Sequence, residues 1–198
     1  MKSQWSLPGQ FVQTHESADE AAKRILFEMS GVKDIYLNQI STFSDVGRVK
    51  KRRIITIAYM ALVNIEKHRL KPFIKEDADW YDIDDLPKLA LDYNKILEVG
   101  LKKLKRRFRF EPLGYDLLPE KFSIRDLQNL YESLFKIKLD IRNFRRKILK
   151  FGHLSQLKEI QKNVPHRSAA LHSFNKTKYD KPLKNGVNIN LLSQSYNY

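Results

Sequence analysis

Hydrophobic residues recur at helical spacing between residues 18 and 30, a pattern that predicts an amphipathic helix. The apolar stripe consists of Ala22, Ile25, Leu26 and Met29. Ser17 and Glu20 are spaced as in a capping box, in which each side chain binds the other residue's backbone amide. Gly31 follows, and glycine readily adopts the left-handed conformation that ends many helices. We therefore expect a helix that begins after Ser17 and ends at Gly31.

The pattern then changes to one typical of β-strands. Ile35–Phe43 alternates between apolar and polar residues, and Ile54–Val63 is a long apolar run rich in isoleucine. We expect a strand from the first segment and a buried central strand from the second, with a basic loop over Asp45–Arg53 between them. Asp79–Ile83 is expected to form a further short strand. The apolar spacing within Tyr93–Phe108 predicts a basic helix.

A second pair of helices is indicated after the turn-forming residues Pro112 and Gly114, where we place a domain boundary. Ser123 is expected to cap the first helix and Asp140 the second, which Gly152 ends. The apolar residues of the first helix are Ile124, Leu127, Leu130, Tyr131 and Leu134. Those of the second helix are Ile141, Phe144, Ile148 and Phe151.

The other side of the second helix is strongly basic. It carries Arg142, Asn143, Arg146, Lys147 and Lys150, with Arg145 at its margin. Two strands, His153–Gln161 and Ser168–Phe174, are expected to follow, joined by a basic loop. The loop's candidate DNA contacts are Lys162, His166 and Arg167. A helix–turn–helix followed by a hairpin is a winged helix, which binds phosphates with arginine and lysine and base edges in the major groove. The alternative is a helical tail with a solvated basic face.

Composition narrows the classes of function. The chain has 198 residues, 42% of them hydrophobic, and a net charge of +14. Residues 113–198 carry more of this excess than the longer segment before them, which suggests a polyanion partner, although a basic globular protein would show the same charge. The chain has no cysteine, no segment of membrane-spanning length and no metal-ligand spacing among its five histidines. We expect a cytoplasmic protein without a metal cofactor.

The first predicted helix carries a known pattern. Trp5-Ser6-Leu7-Pro8-Gly9 leads into Gln10, and Glu16, Arg24, Glu28 and the pair Gly31-Val32 follow at fixed spacing. This segment resembles the Nudix box, a loop–helix–loop whose carboxylates hold Mg²⁺ against a pyrophosphate. Glu16, Arg24 and Glu28 match the pattern. Ile25 and Met29 stand where it has glutamates, and Gln10 stands where it has its first glycine.

These replacements remove the predicted metal site. Positions 25, 28 and 29 share one helix face, and three carboxylates there would form a cradle for Mg²⁺. With Ile25 and Met29 the face is apolar and Glu28 is left as its one acid, whereas Mg²⁺ needs six oxygen ligands and local neutralisation. We therefore interpret Glu16, Arg24 and Glu28 as vestigial, and expect Mg²⁺ as a cofactor only if some hydrolase activity survives.

The two halves together are similar to the Nudix-related transcriptional regulators, bacterial proteins that pair a Nudix domain with a C-terminal winged helix. The second half carries this resemblance through Glu111-Pro112-Leu113-Gly114-Tyr115, Lys121-Phe122-Ser123, Arg142-Asn143-Phe144-Arg145-Arg146-Lys147 and His166-Arg167. It implies an α+β fold: residues 1–112 form a Nudix α/β/α sandwich with a mixed sheet, residues 113–180 a winged helix-turn-helix, and residues 181–198 a flexible tail.

The resemblance also implies strands before Trp5 that the sequence does not contain. The central strand would then expose an apolar edge. Two explanations are open: the gene model starts late, or the chain is a true fragment.

The predicted function is that of a regulator, because the resemblance joins a non-catalytic Nudix domain to a DNA-binding domain. The implied partners are operator DNA, a second copy of the chain, and a nucleotide-sugar such as ADP-ribose or a sugar such as arabinose. The candidate effector contacts are Gln10, Phe43, Asp45 and Arg48, although the loop that holds the last three could equally be a solvated loop. The competing hypothesis is a Mg²⁺-dependent Nudix hydrolase with an accessory basic domain.

Overall fold

The computed structural model describes residues 5–33, 35, 37–50, 52–64, 79–110, 117–162 and 168–175. The chain divides into two compact units, Met1–Lys103 and Leu104–Tyr198. Helices and strands are both present in each, as the predicted α+β class requires. Within the described residues, no helix is both long enough and apolar enough to cross a membrane.

The first helix of the first unit has both predicted ends. Helix α1 covers Ala18–Ser30, and Ser17 and Glu20 form the complete capping box. Gly31 adopts the left-handed conformation with a φ of 70°, and its N–H donates to the carbonyl oxygen of Phe27 at 2.8 Å. An N-terminal cap of this kind stabilises a helix by about 1 kcal/mol. The position of α1 is therefore determined by residues at its own ends.

Two antiparallel strands follow α1. Strand β1 covers Leu37–Phe43 and β2 covers Thr56–Ala61, paired from Leu37 opposite Ala61 to Phe43 opposite Thr56. The expectation that β2 is buried and central is wrong for the part of the chain that the structure describes. There β2 pairs with β1 alone, and 38% of the Ile57 side chain is exposed.

The predicted strand at Asp79–Ile83 does not form. Its acidic side chains bind nearby backbone amides instead: Asp79 Oδ1 accepts from the N–H of Trp80 at 2.8 Å, and Asp82 Oδ1 accepts from that of Asp84 at 2.9 Å. Such local bonds compete with strand pairing and favour turns. An isolated parallel bridge joins the backbones of Trp5 and Leu89.

Helix α2 covers Tyr93–Phe110 and belongs to both units. In the first unit, Ile96 packs with Phe43 and Ala58 to form a small core. A Cβ atom added at Gly100 would lie 3.2 Å from Cδ1 of Ile40, so glycine here permits close packing of α2 on β1. The boundary predicted at Pro112 and Gly114 lies outside the described residues.

The second unit has the predicted order of helices and strands. Its helices are α3 (Ile124–Phe135) and α4 (Ile141–Lys150), and its main strands are β4 (Leu154–Ile160) and β5 (Ala170–Phe174). A further strand, β3 (Phe122–Ser123), was not predicted because two residues carry no alternation. The sheet is antiparallel in the order β3-β5-β4.

Aromatic side chains form the core of the second unit. Tyr131 of α3 lies at its centre, with ring centroids 5.3 Å from Phe108 at the end of α2 and 5.3 Å from Phe144 of α4. Phe108 and Tyr131 are both fully buried. Since Phe108 contributes to this core, the last turns of α2 are part of the second unit.

Candidate functional site

Arg24 organises the segment that resembles the Nudix box. Its Nη2 and Nε atoms lie 2.6 and 2.9 Å from the two carboxylate oxygens of Glu16. Its Nη1 atom donates to Oε1 of Gln10 at 2.8 Å and lies 3.4 Å from Oε1 of Glu28. Gln10 Nε2 in turn donates to Oε2 of Glu28 at 2.9 Å. We call Gln10, Glu16, Arg24 and Glu28 the Arg24 cluster.

In the Arg24 cluster, Glu16 and Arg24 stabilise each other's charged forms. Hydrogen bonds from the Arg24 guanidinium and from the Gln13 amide lower the pKa of Glu16 from its ordinary value of 4.5 to about 2. The hydrogen bond to Glu16 and its negative charge, with a smaller effect from Glu28, raise the pKa of Arg24 above its ordinary value. Glu16 is therefore an anion at every physiological pH and serves as the principal partner of Arg24.

The residues of this segment do not fit a magnesium ion. Glu28 is the one acid on the helix face that also carries Ile25 and Met29, and both of its oxygens face protein donors. Nowhere in the described ranges do three His, Cys, Asp or Glu side chains come together in a geometry that could hold a metal. Mg²⁺ prefers a nearly octahedral set of oxygens, which this cluster does not offer.

The four predicted effector contacts do not share one environment. Gln10 belongs to the Arg24 cluster. The Phe43 ring is packed in the core with Ala58 and Ile96, and its contact with an effector stays a prediction.

Arg48 and Asp45 hold the loop after β1 against the start of α2. Arg48 donates to both oxygens of Asp92, at 2.8 and 2.7 Å, and to the hydroxyl of Thr56 at 2.6 Å. Its side chain is 5% exposed, so Arg48 supports the fold, and its contact with an effector stays a prediction. Asp45 is exposed and pairs with Lys95 at 2.9 Å; its proposed contact with an effector stays a prediction.

Sequence reasoning missed several partners in this unit. Asp92 and Lys95 were not singled out, although an Asp just before a helix is a recognisable signal. Tyr59 donates a hydrogen bond to Asp19, and burial together with this bond raises the pKa of Tyr59 to about 12. Lys103 donates to the carbonyl oxygens of Gln39 and Ile40, at 2.8 and 3.0 Å. These contacts join residues far apart in sequence.

The basic face predicted on α4 is present in the second unit. Asp140 caps the helix by accepting from the N–H of Asn143 at 2.8 Å, and Phe144 and Ile148 are buried. The exposed residues of the opposite face are Arg142, Asn143, Arg145, Arg146 and Lys150, with Lys147 half-buried. We call this set the α4 basic face.

The α4 basic face carries a local excess of positive charge. Helix α4 itself contains no Asp or Glu. In the described part of the chain, no ion pair with a carboxylate involves Arg142, Arg145 or Arg146; Arg146 donates to the side-chain oxygen of Asn143 at 2.9 Å. The face can therefore offer positive charge to a polyanion.

Buried polar side chains fix the connection between α3 and α4. Gln128 is buried in α3, and its Nε2 atom donates to the carbonyl oxygen of Leu139 at 2.7 Å and to Oε1 of Glu132 at 2.8 Å. Glu132 Oε1 also accepts from the Leu139 amide at 2.8 Å, a bond that lowers the pKa of Glu132. These two residues were not predicted. They set the position of Asp140, and hence the start of α4.

The predicted wing is described in part. Lys162 is exposed just after β4, and its neighbour Gln161 donates from its backbone to the carbonyl oxygen of Ala169 at 2.9 Å. His166 and Arg167 lie outside the described residues, as does the predicted tail over residues 181–198. Their contacts with DNA stay predictions.

The first unit contains a capped helix and two strands, and the second contains a helix–turn–helix and a three-stranded sheet. Together they define a protein that pairs a Nudix-type unit with a winged helix. Comparison with family models gives the same two parts. The NUDIX domain matches residues 1–99, and the NrtR DNA-binding winged helix domain matches residues 114–174. The chain belongs to the Nudix-related transcriptional regulators, and is a DNA-binding regulator with a Nudix domain.

Individual relatives extend this result. The ADPR responsive transcriptional repressor NtrR of Acinetobacter baylyi is 28% identical over 183 residues, which cover 90% of this chain and 73% of that protein. An ADP-ribose pyrophosphatase of Methanocaldococcus jannaschii is 30% identical over 97 residues, which cover 49% of this chain and 57% of that protein. The crystal structure of Shewanella oneidensis NrtR complexed with a 27mer DNA matches with a TM-score of 0.77 at 22% identity, covering 89% of this chain and 82% of that one. At this identity the structural likeness supports the fold alone.

Proposed function

We propose that this chain is a transcriptional repressor that binds operator DNA through the α4 basic face and releases it when the Nudix unit binds an ADP-ribose-like nucleotide-sugar. The observation that carries the proposal is the α4 basic face: an exposed set of cations on the second helix of a helix–turn–helix. This is the helix that enters the major groove in proteins of this architecture.

The side chains of the α4 basic face suit both parts of DNA recognition. Arginine and lysine neutralise phosphates, and arginine and asparagine can each form paired hydrogen bonds with a base edge. The bond between Arg146 and Asn143 orients the two side chains on adjacent turns. We assign phosphate contacts to Lys147, Lys150 and the wing residues Lys162, His166 and Arg167. Base contacts are assigned to Arg142, Asn143, Arg145 and Arg146.

The proposed effector follows from the first unit and from its relatives. A relative that aligns with 90% of the chain is named for its response to ADPR. The Arg24 cluster has no carboxylate set for Mg²⁺, which favours binding of such a ligand without hydrolysis. A free sugar such as arabinose is the second candidate effector, and Asp45 is the exposed residue proposed to contact either one.

Regulation requires that the effector favour one state of the protein over another. A ligand with equal affinity for the DNA-binding and DNA-free states would leave DNA affinity unchanged. We propose a homodimer on a two-fold operator, because such an arrangement converts a change in the geometry of the pair into a large change in affinity. Acting on chromosomal DNA, the protein would work in the cytoplasm.

A Mg²⁺-dependent hydrolase remains the competing function. One observation favours it: 97 residues of this chain are 30% identical to part of an ADP-ribose pyrophosphatase. Incubation of the chain with ADP-ribose and Mg²⁺, followed by chromatography of the products, tests it. Turnover that disappears in Glu28→Gln would establish the hydrolase, whereas an intact ligand supports the sensor.

The proposed function is tested by fluorescence anisotropy with a labelled duplex from the chromosomal region around the gene. Random duplex of equal length serves as competitor, and ADP-ribose and arabinose are added in separate titrations. We expect selective binding that ADP-ribose weakens. Equal affinity for the random duplex would contradict DNA recognition, and selective binding that neither ligand changes would contradict the proposed effectors.

A further inference from the structure

Gln10 uses both ends of its side chain within the Arg24 cluster. The amide nitrogen donates to Oε2 of Glu28 at 2.9 Å, and the amide oxygen accepts from Nη1 of Arg24 at 2.8 Å. An amide carries donors and acceptors on the same group, so it can bridge a carboxylate and a guanidinium without adding charge. In the Nudix pattern this position is glycine, which has no side chain to place there.

The bridge occupies the last metal-binding acid of the segment. Oε2 of Glu28 accepts from Gln10, and Oε1 of Glu28 lies 3.4 Å from Nη1 of Arg24. Arg24 is directed chiefly to Glu16, with contacts at 2.6 and 2.9 Å, so its pairing with Glu28 is the weaker one. Of the two contacts that Gln10 and Arg24 make with Glu28, the one from Gln10 is therefore the shorter.

We propose that Gln10 acts as an internal occupant of the vestigial metal site: its amide, with the Arg24 guanidinium, takes the place beside Glu28 that a divalent cation would need. The loss of metal binding then has two separable causes. Ile25 and Met29 remove ligands, and Gln10 engages the ligand that remains. A cation approaching Glu28 must displace a hydrogen bond to a charged oxygen, which is stronger than one between neutral groups.

Restoring the missing carboxylates should not be sufficient to restore metal binding while Gln10 is present. Returning carboxylates at positions 25 and 29 supplies three acids on one helix face. If Gln10 still engages Glu28, that face should bind metal poorly until the amide is removed. A glutamine elsewhere in the same loop should have no such effect. Gln13 is exposed in that loop, and its backbone N–H and carbonyl oxygen form hydrogen bonds with Glu16.

The test compares Mn²⁺ binding in the background I25E/M29E by isothermal titration calorimetry. Gln10→Ala is added to this background in one protein, and Gln13→Ala in the matched control. We expect the Gln10→Ala protein to bind Mn²⁺ at least about tenfold more tightly than either the background or the control, a ratio equivalent to about 1.4 kcal/mol. Equal affinities in all three proteins would overturn the proposal.

A second measurement avoids the two new carboxylates, which could prevent folding. In the otherwise native chain, Gln10→Ala and Gln13→Ala are compared by the Mn²⁺-induced relaxation of backbone amide signals near Glu28. We expect at least a twofold greater effect in Gln10→Ala, and equal effects would contradict the proposal. Neither measurement involves DNA or a nucleotide, so failure here is distinguishable from failure of the proposed function.

Discussion

Asp92 accepts two hydrogen bonds from the guanidinium of Arg48, one from Nε at 2.8 Å and one from Nη2 at 2.7 Å. Arg48 lies in the loop between β1 and β2, and Asp92 immediately precedes α2. The pair therefore connects the sheet of the first unit to the start of the helix that continues into the second unit.

Replacing Asp92 with alanine should destabilise the protein by about 3 kcal/mol, because it leaves the nearly buried Arg48 cation without its acid. The free energy of unfolding in urea measures this effect. Asp45→Ala is the control, since its pair with Lys95 is exposed and should contribute much less to stability. Equal losses in the two variants would contradict the structural role of the Arg48–Asp92 pair.

The pH dependence of stability should reveal the Arg24 cluster. Because the folded-state pKa of Glu16 is depressed to about 2, its contribution is present above the ordinary value of 4.5 and is lost as the pH falls toward 2. We expect the native protein to lose more stability than Glu16→Gln between pH 5.5 and about pH 2.5. Urea unfolding at several pH values checks this. Parallel curves for the two proteins would show that Glu16 is not held by Arg24.

Removing cations from the α4 basic face should weaken DNA binding and its dependence on salt. Arg146→Ala and Lys150→Ala should each lower affinity. The slope of log K against log salt should fall by about 0.9 in Lys150→Ala, which loses a phosphate contact, whereas Arg146→Ala should reduce the preference for operator over random DNA. Lys23→Ala is the control for removing one positive charge, because Lys23 is exposed on α1 in the other unit. If the α4 variants behave like Lys23→Ala, the assignment of α4 to DNA is wrong.

A substitution in α3 that weakens the support of α4 should lower DNA affinity without changing the salt dependence of binding. Gln128→Leu removes the donor to the carbonyl oxygen of Leu139, and an unsatisfied buried acceptor costs about 1–3 kcal/mol. Thermal unfolding should show this loss. DNA affinity should fall because α4 is held less firmly, while the salt slope stays near the native value since no cation is removed. If the salt slope of Gln128→Leu fell as much as that of Lys150→Ala, Gln128 would not act only by supporting α4.

Local signals in the sequence were sufficient to predict the helices. Ser17, Ser123 and Asp140 each cap a helix through an amide three residues away, so the information lies within one turn. The apolar spacing of α4 also predicted which side is buried. By contrast, the sequence predicted a strand at Asp79–Ile83, but Asp79 and Asp82 bind nearby backbone amides and the strand does not form.

The candidate site of the first unit was less predictable, because it depends on contacts between distant residues. Phe43 was expected at an effector, but Ile96, which lies far along the chain, encloses it in the core. Arg48 finds its partner at Asp92, 44 residues away. The sequence aligned Gln10 with a glycine of the pattern, but only the positions of Arg24 and Glu28 show that its amide binds both of them.

We propose that one chain binds DNA through the α4 basic face and is released from it by a ligand of the Nudix unit. The most direct measurement is a titration of the native chain against a duplex from the region around its own gene, at several salt concentrations, with and without ADP-ribose. We predict selective, salt-dependent binding that ADP-ribose weakens at least about fivefold, corresponding to a coupling of about 1 kcal/mol. Two results would contradict this proposal. One is an affinity for the duplex that is the same with and without ADP-ribose, and the other is an affinity no greater than that for random DNA.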